Sequence, residues 1–192
     1  MIIGITGGTG CGKTTLLKEL EKLGAVILDC DQIYHDLLTT DRSLLAAIEA
    51  RFPGTVEDGT LQRKKLGDMV FNDPESLRDL NAITHAAIRE EVLRKLSDRP
   101  ALAAIDAIAL FESGLDRLCD VTVAVTAPTE DRIARLMARD GIPESYARAR
   151  IAAQPPEEWF REKCDDTLEN HGDIPTFQAK CLAFFRDLGI MR

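Results

Sequence analysis

The residues best suited to chemistry lie near the amino end, where positions 7–14 read Gly-Gly-Thr-Gly-Cys-Gly-Lys-Thr. This stretch matches the pattern G-x-x-x-x-G-K-[ST] and follows an apolar run at 2–5, which is the strand-then-helix context of a phosphate-binding loop. Glycines let such a loop turn tightly and point its N–H groups at phosphate oxygens. The alternative interpretation is a glycine-rich hairpin with a surface lysine. The residues expected to bind the nucleotide are Gly8, Thr9, Gly10, Cys11, Gly12, Lys13, Thr14 and Thr15.

Within this loop, Lys13 would supply a point charge for the terminal phosphates, and Thr14 a hydroxyl for Mg²⁺. Asp106 follows the third apolar run, where a carboxylate often holds Mg²⁺ through water, so Thr14 and Asp106 are the candidate metal ligands. The sequence therefore predicts a site for ATP and Mg²⁺.

Two carboxylates follow the second apolar run, Asp29 and Asp31. Their spacing places both on one face at the carboxyl end of a strand, where parallel sheets bind ligands. A carboxylate there can accept a proton from a substrate hydroxyl during phosphoryl transfer. The alternative is that Asp31 caps a helix that begins at Gln32.

Cationic side chains cluster later in the chain, and phosphoryl transfer needs such charges close to the phosphates. Arg132, Arg135 and Arg139 share one face of a predicted helix, and Arg148 and Arg150 follow a break. Pairing with nearby acidic residues on a solvated face is the alternative. His85 lies within a predicted helix, where a packing or surface role is the ordinary one.

Apolar runs and helical periodicity alternate along most of the chain. Strands are predicted at Ile2–Thr6, Ala25–Leu28, Ala101–Ile105, Val121–Val125 and Thr167–Glu169. Helices are predicted at Thr14–Leu23, Leu44–Phe52, Glu75–Leu96, Pro128–Arg139, a stretch ending at Gln154, and Asp173–Leu188, with a turn-rich stretch at Pro53–Gly59. Strands that alternate with helices imply a parallel sheet covered on both faces. Residues 32–98 are charged and helical in period, and they predict an excursion between two core strands.

Composition narrows the class of protein. The chain has 192 residues, 45% of them apolar, which suits one compact domain. A net charge of −8 argues against nucleic acid as a main partner. Five scattered cysteines form no C-x-x-C pair, and no apolar run has membrane-spanning length. We therefore expect a cytoplasmic protein with no membrane association, no signal peptide and no obligate protein partner.

The motifs and their order resemble those of the dephospho-CoA kinase family along almost the whole chain. The loop at 4–15 resembles that family's G-L-T-G-G-I-G-S-G-K-S-T, and 26–31 its V-I-D-A-D. Leu110–Leu115 matches L-F-E-S-G-L, and Arg135–Asp140 matches R-L-x-x-R-D. Further matches are D-G-x-L-x-R at 58–63 followed by Leu66 and Val70-Phe71, L-x-H at 83–85, A-A-Q at 152–154 and N-x-G at 170–172.

The resemblance implies an α/β P-loop three-layer sandwich with a mainly parallel five-stranded sheet, a helical substrate-binding insertion and a helical lid. The implied single domain has a core at 1–31, 99–136 and 164–192, an acceptor-binding insertion at 32–98 and a lid at 137–163. The implied reaction is phosphorylation of the ribose 3′-hydroxyl of dephospho-CoA with MgATP.

The resemblance also implies roles for particular residues. Lys13, Asp31, Arg135 and Arg139 would be catalytic, with Asp31 as the base. Asn170 and Gly172 would lie near the adenine. The acceptor would be held by Asp31, Arg63, Phe71, His85, Leu110 and Glu112.

Some positions depart from the family pattern. Ala86 replaces a proline, Ile108 and Ala109 stand where the family has Pro-Leu, His35 replaces an arginine, and Asp166 replaces an apolar residue. Two other functions stay open from the residues alone: a P-loop kinase for another small acceptor such as a nucleoside, and a nucleotide-hydrolysing regulatory ATPase. The latter typically positions water through a glutamine or threonine in a switch loop.

Overall fold

The computed structural model describes residues 1–71 and 73–191, so Arg192 at the end of the predicted core lies outside it. The strands are β1 (Ile2–Thr6), β2 (Val26–Asp29), β3 (Val56–Glu57), β4 (Thr60–Leu61), β5 (Ala103–Asp106), β6 (Val121–Thr126) and β7 (Asp166–Glu169). The helices are α1 (Lys13–Lys22), α2 (Cys30–Thr40), α3 (Arg42–Arg51), α4 (Arg63–Val70), α5 (Pro74–Leu96), α6 (Thr129–Asp140), α7 (Glu144–Ala152), α8 (Glu157–Lys163) and α9 (Ile174–Asp187). A 3₁₀ turn lies at Leu115–Leu118.

A five-stranded sheet in the order β2-β5-β1-β6-β7 organises the core. β1 pairs in parallel with β5 and β6, and β6 pairs in parallel with β7. The register pairs Ile5 of β1 with Asp106, the last residue of β5. The loop that follows β1 and the Asp106 carboxylate therefore lie at the same, carboxyl end of the strands. The expected α/β sandwich is therefore confirmed.

The chain divides into two compact units, Met1–Ile27 with Pro100–Arg192, and Leu28–Arg99, with the boundary inside β2. In the first unit, buried side chains of β1 and β6 pack with those of α1 and α9, among them Ile3, Leu16, Val125, Phe177 and Phe185. Each such fully buried side chain contributes about 1.5–3 kcal/mol of transfer free energy. This packing fixes the strand ends from which the site is built.

The second unit is mostly helical, as predicted for 32–98. α5 contacts α2, α3 and α4. The predicted turn-rich stretch at 53–59 also contains the start of a small hairpin, in which Val56 pairs with Leu61 and Glu57 with Thr60. Asp58 and Gly59 form its turn with φ of 49° and 74°, the left-handed conformations that a tight two-residue hairpin loop requires.

Three departures have local physical reasons. The third strand begins at Ala103 rather than Ala101, because its parallel pairing with β1 begins where Ala103 lies beside Ile2. Asp166 begins β7 without disturbing it, because this is an edge strand and the carboxylate is exposed. In the turn with Ile108 and Ala109, which lacks the family's proline, the Thr6 hydroxyl donates to the Ile108 carbonyl at 3.1 Å. In the described part of the chain, no helix is long and apolar enough to cross a membrane.

Candidate active site

The loop between β1 and α1 has the backbone shape that the glycine pattern predicts. Gly7 has φ of 135°, and a Cβ there would lie 2.1 Å from the Val125 carbonyl oxygen. Gly12 precedes α1 with φ of 96°, a conformation that side chains rarely adopt. The first turn of α1 contains no acidic residue, so its positive end faces no carboxylate of its own. This arrangement suits the binding of an anion.

Lys13 and Asp106 lie together at the end of β1 and β5. The Lys13 ammonium donates to the Gly7 carbonyl at 3.0 Å, and its Nζ lies 3.8 Å from Asp106 Oδ1. Their side chains are only 14% and 16% exposed, so solvent screens this pair weakly. A cation and a carboxylate at one sheet edge can hold phosphate and a hydrated metal ion, respectively.

The oxygen donors at this site are of the kind that Mg²⁺ prefers. Mg²⁺ prefers oxygen ligands and usually binds through one or two carboxylates together with substrate phosphates. Thr14, exposed in the first turn of α1, offers a hydroxyl, and Asp106 offers a carboxylate. Across residues 1–71 and 73–191 there is no cluster of three or more His, Cys, Asp or Glu side chains that could hold a metal without such a substrate.

Arg135 and Asn170 support the loop from the α6 and β7 sides. Arg135 Nη1 donates to the Gly10 and Cys11 carbonyls at 3.3 and 3.4 Å, and Nη2 donates to the Asn170 carbonyl at 3.2 Å. Asn170 is buried, and its amide donates to the Cys11 carbonyl at 2.8 Å. In this structure the guanidinium of Arg135 therefore orients the carbonyls of Gly10 and Cys11.

A cavity of about 580 Å³ opens beside these two residues. Its walls combine the polar groups of Arg135 and Asn170 with an apolar floor that includes Phe177. A cavity of this size and mixed lining suits a nucleobase. The residues lining it are Gly12, Thr15, Arg135, Asn170, Gly172, Asp173, Ile174, Pro175 and Phe177.

Cys11 contributes to the loop through its backbone. Its side chain is buried in the core, and burial raises the pKa of the thiol above its ordinary value. The thiol therefore stays protonated at neutral pH and is a packing group rather than a ligand.

Arg139 lies elsewhere on the surface of α6. Its guanidinium donates to both oxygens of Asp140, at 2.6 and 3.0 Å, and the side chain is 60% exposed. Arg150 also donates to Asp140, at 2.7 Å. Hydrogen bonds from Arg139 and Arg150 lower the pKa of Asp140 to about 2. Within the described residues, Arg139 makes no hydrogen bond to the loop, unlike Arg135, and its catalytic role stays a prediction.

Two residues that the resemblance left without a role also contact the loop. Arg132 and Gln154 form hydrogen bonds with the backbone of Thr9. The helical spacing of the arginines indicated Arg132 as a candidate phosphate-binding residue. The only sequence signal for Gln154 was the A-A-Q match at 152–154. Its contact with Thr9 spans 145 positions, and a sequence carries no local signal for such a pair.

The helical unit contains most of the predicted acceptor residues. Asp29 Oδ1 accepts from the backbone N–H groups of Asp31 and Gln32 at 2.9 and 3.0 Å, so Asp29 caps α2. The alternative in which Asp31 caps a helix starting at Gln32 is therefore wrong, because α2 begins at Cys30. The Asp31 side chain is exposed in the first turn of α2.

The other acceptor candidates differ in exposure. Arg63 Nη2 lies 3.1 Å from His35 Nδ1, so the histidine that replaces the family's arginine contacts a second candidate residue. The Phe71 ring is 84% exposed, as a binding surface for an apolar group would be, and His85 is half-buried on α5.

Leu110 and Glu112 belong to the first unit, after β5. Glu112 is exposed. Leu110 is fully buried, and its Cδ2 would lie 2.9 Å from a Cβ on Gly4. With no exposed surface in this structure Leu110 packs against β1, and its contact with the acceptor stays a prediction.

A phosphate loop that joins the first strand of a parallel sheet to a helix, with a lysine and a carboxylate at the strand ends, is the nucleotide site of a P-loop protein. The model of the dephospho-CoA kinase family matches residues 1–176, and the chain belongs to this family. The family expected from the motifs is thus confirmed, and the chain is an ATP-using kinase of coenzyme A biosynthesis.

Individual relatives agree with this assignment. The dephospho-CoA kinase of Moorella thermoacetica is 37% identical, over 97% of this chain and 92% of its own length. The crystal structure of TT1252 from Thermus thermophilus is similar with a TM-score of 0.82 and 34% identity, over 98% of this chain and 97% of that one. Dephospho-CoA kinase from Campylobacter jejuni has a TM-score of 0.68 and 26% identity, over 99% and 98% of the two chains. Neither the nucleoside-kinase nor the regulatory-ATPase alternative is favoured.

Proposed function

We propose that the chain transfers the terminal phosphoryl group of MgATP to the ribose 3′-hydroxyl of dephospho-CoA. The hydroxyl oxygen forms a bond to the γ-phosphorus, the bond from that phosphorus to the β,γ-bridging oxygen breaks, and the hydroxyl proton passes to Asp31. ADP and coenzyme A are the products. The observation that supports this most directly is the phosphate loop with Lys13 and Asp106 at one edge of the parallel sheet.

The proposed roles follow from charge and position. Lys13 and the N–H groups of the loop stabilise negative charge on the transferring group, which is usually the largest catalytic term in such reactions. Arg135 orients the loop through its carbonyls, and Arg139 supplies a further positive charge after leaving Asp140. Asn170 and Gly172 border the cavity proposed for the adenine ring.

Mg²⁺ is proposed to be held by Thr14 and, through water, by Asp106. When bound with ATP it neutralises charge on the phosphate oxygens. Thr14 lies in the first turn of α1, directly after the loop, and Asp106 ends β5, the strand that pairs with β1.

The helical unit is proposed to bind the acceptor through Asp31, Arg63, Phe71 and His85, with Glu112 on the first unit. Binding energy from the diphosphate and pantetheine parts of the acceptor would hold the reacting hydroxyl in place. The exposed Phe71 ring and the charge of Arg63 suit the apolar and anionic parts of such a molecule.

The test is an incubation of the purified chain with MgATP and either dephospho-CoA or adenosine, with products resolved by mass and the phosphorylated position found by NMR. We expect one phosphate on the 3′-oxygen of dephospho-CoA and a kcat/KM for adenosine that is lower by at least about a hundredfold, because adenosine lacks the remote contacts. Comparable values for the two acceptors would refute the assignment. A reaction without acceptor measures ATP hydrolysis and serves as the control.

A further inference from the structure

The peptide groups of Thr9, in the middle of the phosphate loop, are held on both sides by two side chains. Arg132 Nε donates to the Thr9 carbonyl at 2.9 Å, and Gln154 Oε1 accepts from the Thr9 N–H at 2.7 Å. The two side chains also contact each other, since Arg132 Nη2 donates to Gln154 Oε1 at 3.3 Å. We call Arg132 and Gln154 the loop clamp.

Among the described residues, no carboxylate pairs with the charge of Arg132. The residue is only 5% exposed. In the part of the chain that the structure describes, no carboxylate lies within 4.0 Å of its guanidinium nitrogens, and Nη1 forms no hydrogen bond. Buried cations are normally paired, because desolvation without an opposite charge is costly. A guanidinium of this kind at a phosphate loop is suited to neutralisation by bound phosphate.

The side chain that Gly8 lacks would fall on this guanidinium. A Cβ on Gly8 would lie 2.3 Å from Arg132 Nη2 and 2.8 Å from its Cζ. Gly8 is not among the residues with positive φ, so alanine could adopt its backbone conformation. The absence of a side chain at Gly8 therefore makes room for the guanidinium of Arg132, and the backbone conformation there does not itself require glycine.

The clamp also connects the loop to the segment predicted as a lid. Gln154 follows α7, and α7 packs on α6 through Ile133, Leu136 and Ala147. Arg132 lies on α6 itself. The two helices thus present both clamp residues to Thr9 from one packed pair.

We infer that Arg132 binds the phosphates of the nucleotide through its buried charge, and that Gln154 is the positioning residue that holds the guanidinium and Thr9 in place. This inference rests on the proposed function only in that ATP occupies the loop; it does not depend on the identity of the acceptor. It adds a third arginine to the two that the family resemblance implied.

Calorimetric titration with MgATP in the absence of acceptor tests the inference. Arg132→Gln removes the charge but keeps a donor for the Thr9 carbonyl, and Gln154→Met removes the acceptor at nearly constant size. We expect each to raise the Kd for MgATP about tenfold, the usual effect of losing one charge-assisted or backbone contact. Salt should weaken binding less in Arg132→Gln than in the parent, whereas Arg132→Lys should keep the parent's salt dependence.

The Gln154→Glu variant distinguishes two roles for Arg132: binding phosphate through its charge, or only holding the loop in place. Glutamate keeps the acceptor for Thr9 but places a negative charge against Arg132, so the melting temperature should be kept or raised while the Kd for MgATP rises about tenfold. Gln178→Met is the matched control, since Gln178 is also half-buried and donates one hydrogen bond, to Glu19 at 2.7 Å. Its Kd should equal the parent's.

Parent-like affinity in both Arg132→Gln and Gln154→Glu would overturn the inference and leave the clamp as packing. Gly8→Ala gives an independent check, because its methyl group displaces the guanidinium without removing the charge from the chain. Its effect on the Kd should not add to that of Arg132→Gln if both act on one contact. Full additivity would count against the clamp. A parent chain that fails to bind MgATP would instead refute the nucleotide site of the proposed function.

Discussion

Substitutions at Asp29 and Asp31 should separate folding from catalysis, although the two carboxylates are only two positions apart. Asp29 is the N-cap of α2 and accepts two backbone hydrogen bonds, at 2.9 and 3.0 Å. Asp31 lies within the first turn of the same helix, with its side chain exposed. We expect Asp29→Ala to affect mainly stability and Asp31→Asn to affect mainly turnover.

The magnitudes follow from these contacts. Loss of an aspartate N-cap costs about 1 kcal/mol, which lowers the melting temperature of a chain of this size by about 2–4 °C. Asp31→Asn removes no hydrogen bond that holds the helix, so its melting temperature should change by less than about 1 °C. Because asparagine cannot take up the hydroxyl proton, kcat should fall by about 10²–10⁴-fold with little change in the Kd for MgATP.

The assay combines thermal unfolding with steady-state kinetics on the same preparations. Asp29→Asn is the control, since asparagine keeps the capping oxygen and should restore most of the stability lost in Asp29→Ala. An Asp31→Asn variant that melts as low as Asp29→Ala and turns over normally would refute the base assignment. It would show that Asp31, too, serves only the start of the helix.

Three further substitutions test the loop and the arginines. Lys13→Ala should lower kcat by at least about a hundredfold in a folded chain, because it removes charge stabilisation rather than packing; an unfolded or fully active variant would contradict this. Gly7→Ala should destabilise the fold by about 2–4 kcal/mol in urea titrations, because the new methyl group meets the Val125 carbonyl at 2.1 Å with φ of 135°; an unchanged midpoint would refute the steric argument. Arg139→Ala should lower kcat with little change in stability. It should also raise the pKa of Asp140 from about 2 toward its ordinary value, which NMR can measure. Since that pKa is lowered in the folded state, the stabilising contribution of Asp140 is present above about pH 4 and is lost as the pH falls toward 2. An ordinary pKa for Asp140 in the parent chain would contradict the pairing.

The four strands of the main sheet other than β7 could be predicted because they contain short, continuous apolar runs between turn signals. The edge strand β7 was predicted from three residues and confirmed. The start of α2 could not be fixed in this way. Asp29 and Asp31 are equally good caps, and only the observed start at Cys30 decides between them.

The candidate site was predictable where a local motif fixes the backbone conformation. It was less predictable where a side chain contacts residues that are distant in sequence. The loop and Lys13 follow from local pattern and strand register. The three arginines of α6 share one helical spacing, yet Arg132 and Arg135 contact the loop while Arg139 pairs with Asp140. Nothing in the spacing distinguishes them, because the partner of each depends on tertiary packing.

Each of the loop glycines lies too close to a neighbouring element to carry a side chain. A Cβ at these positions would fall on backbone or side-chain atoms of another element: Gly7 on Val125, Gly8 and Gly10 on Arg132, and Gly12 on Asn170. The loop therefore packs closely against β6, α6 and the residue that follows β7. Arg135 and Asn170 donate hydrogen bonds to the carbonyls of Gly10 and Cys11. The peptide dipoles of the loop are therefore already oriented before any ligand binds. Such ordering costs no reorganisation during the reaction, which is the condition under which fixed dipoles stabilise a transition state best.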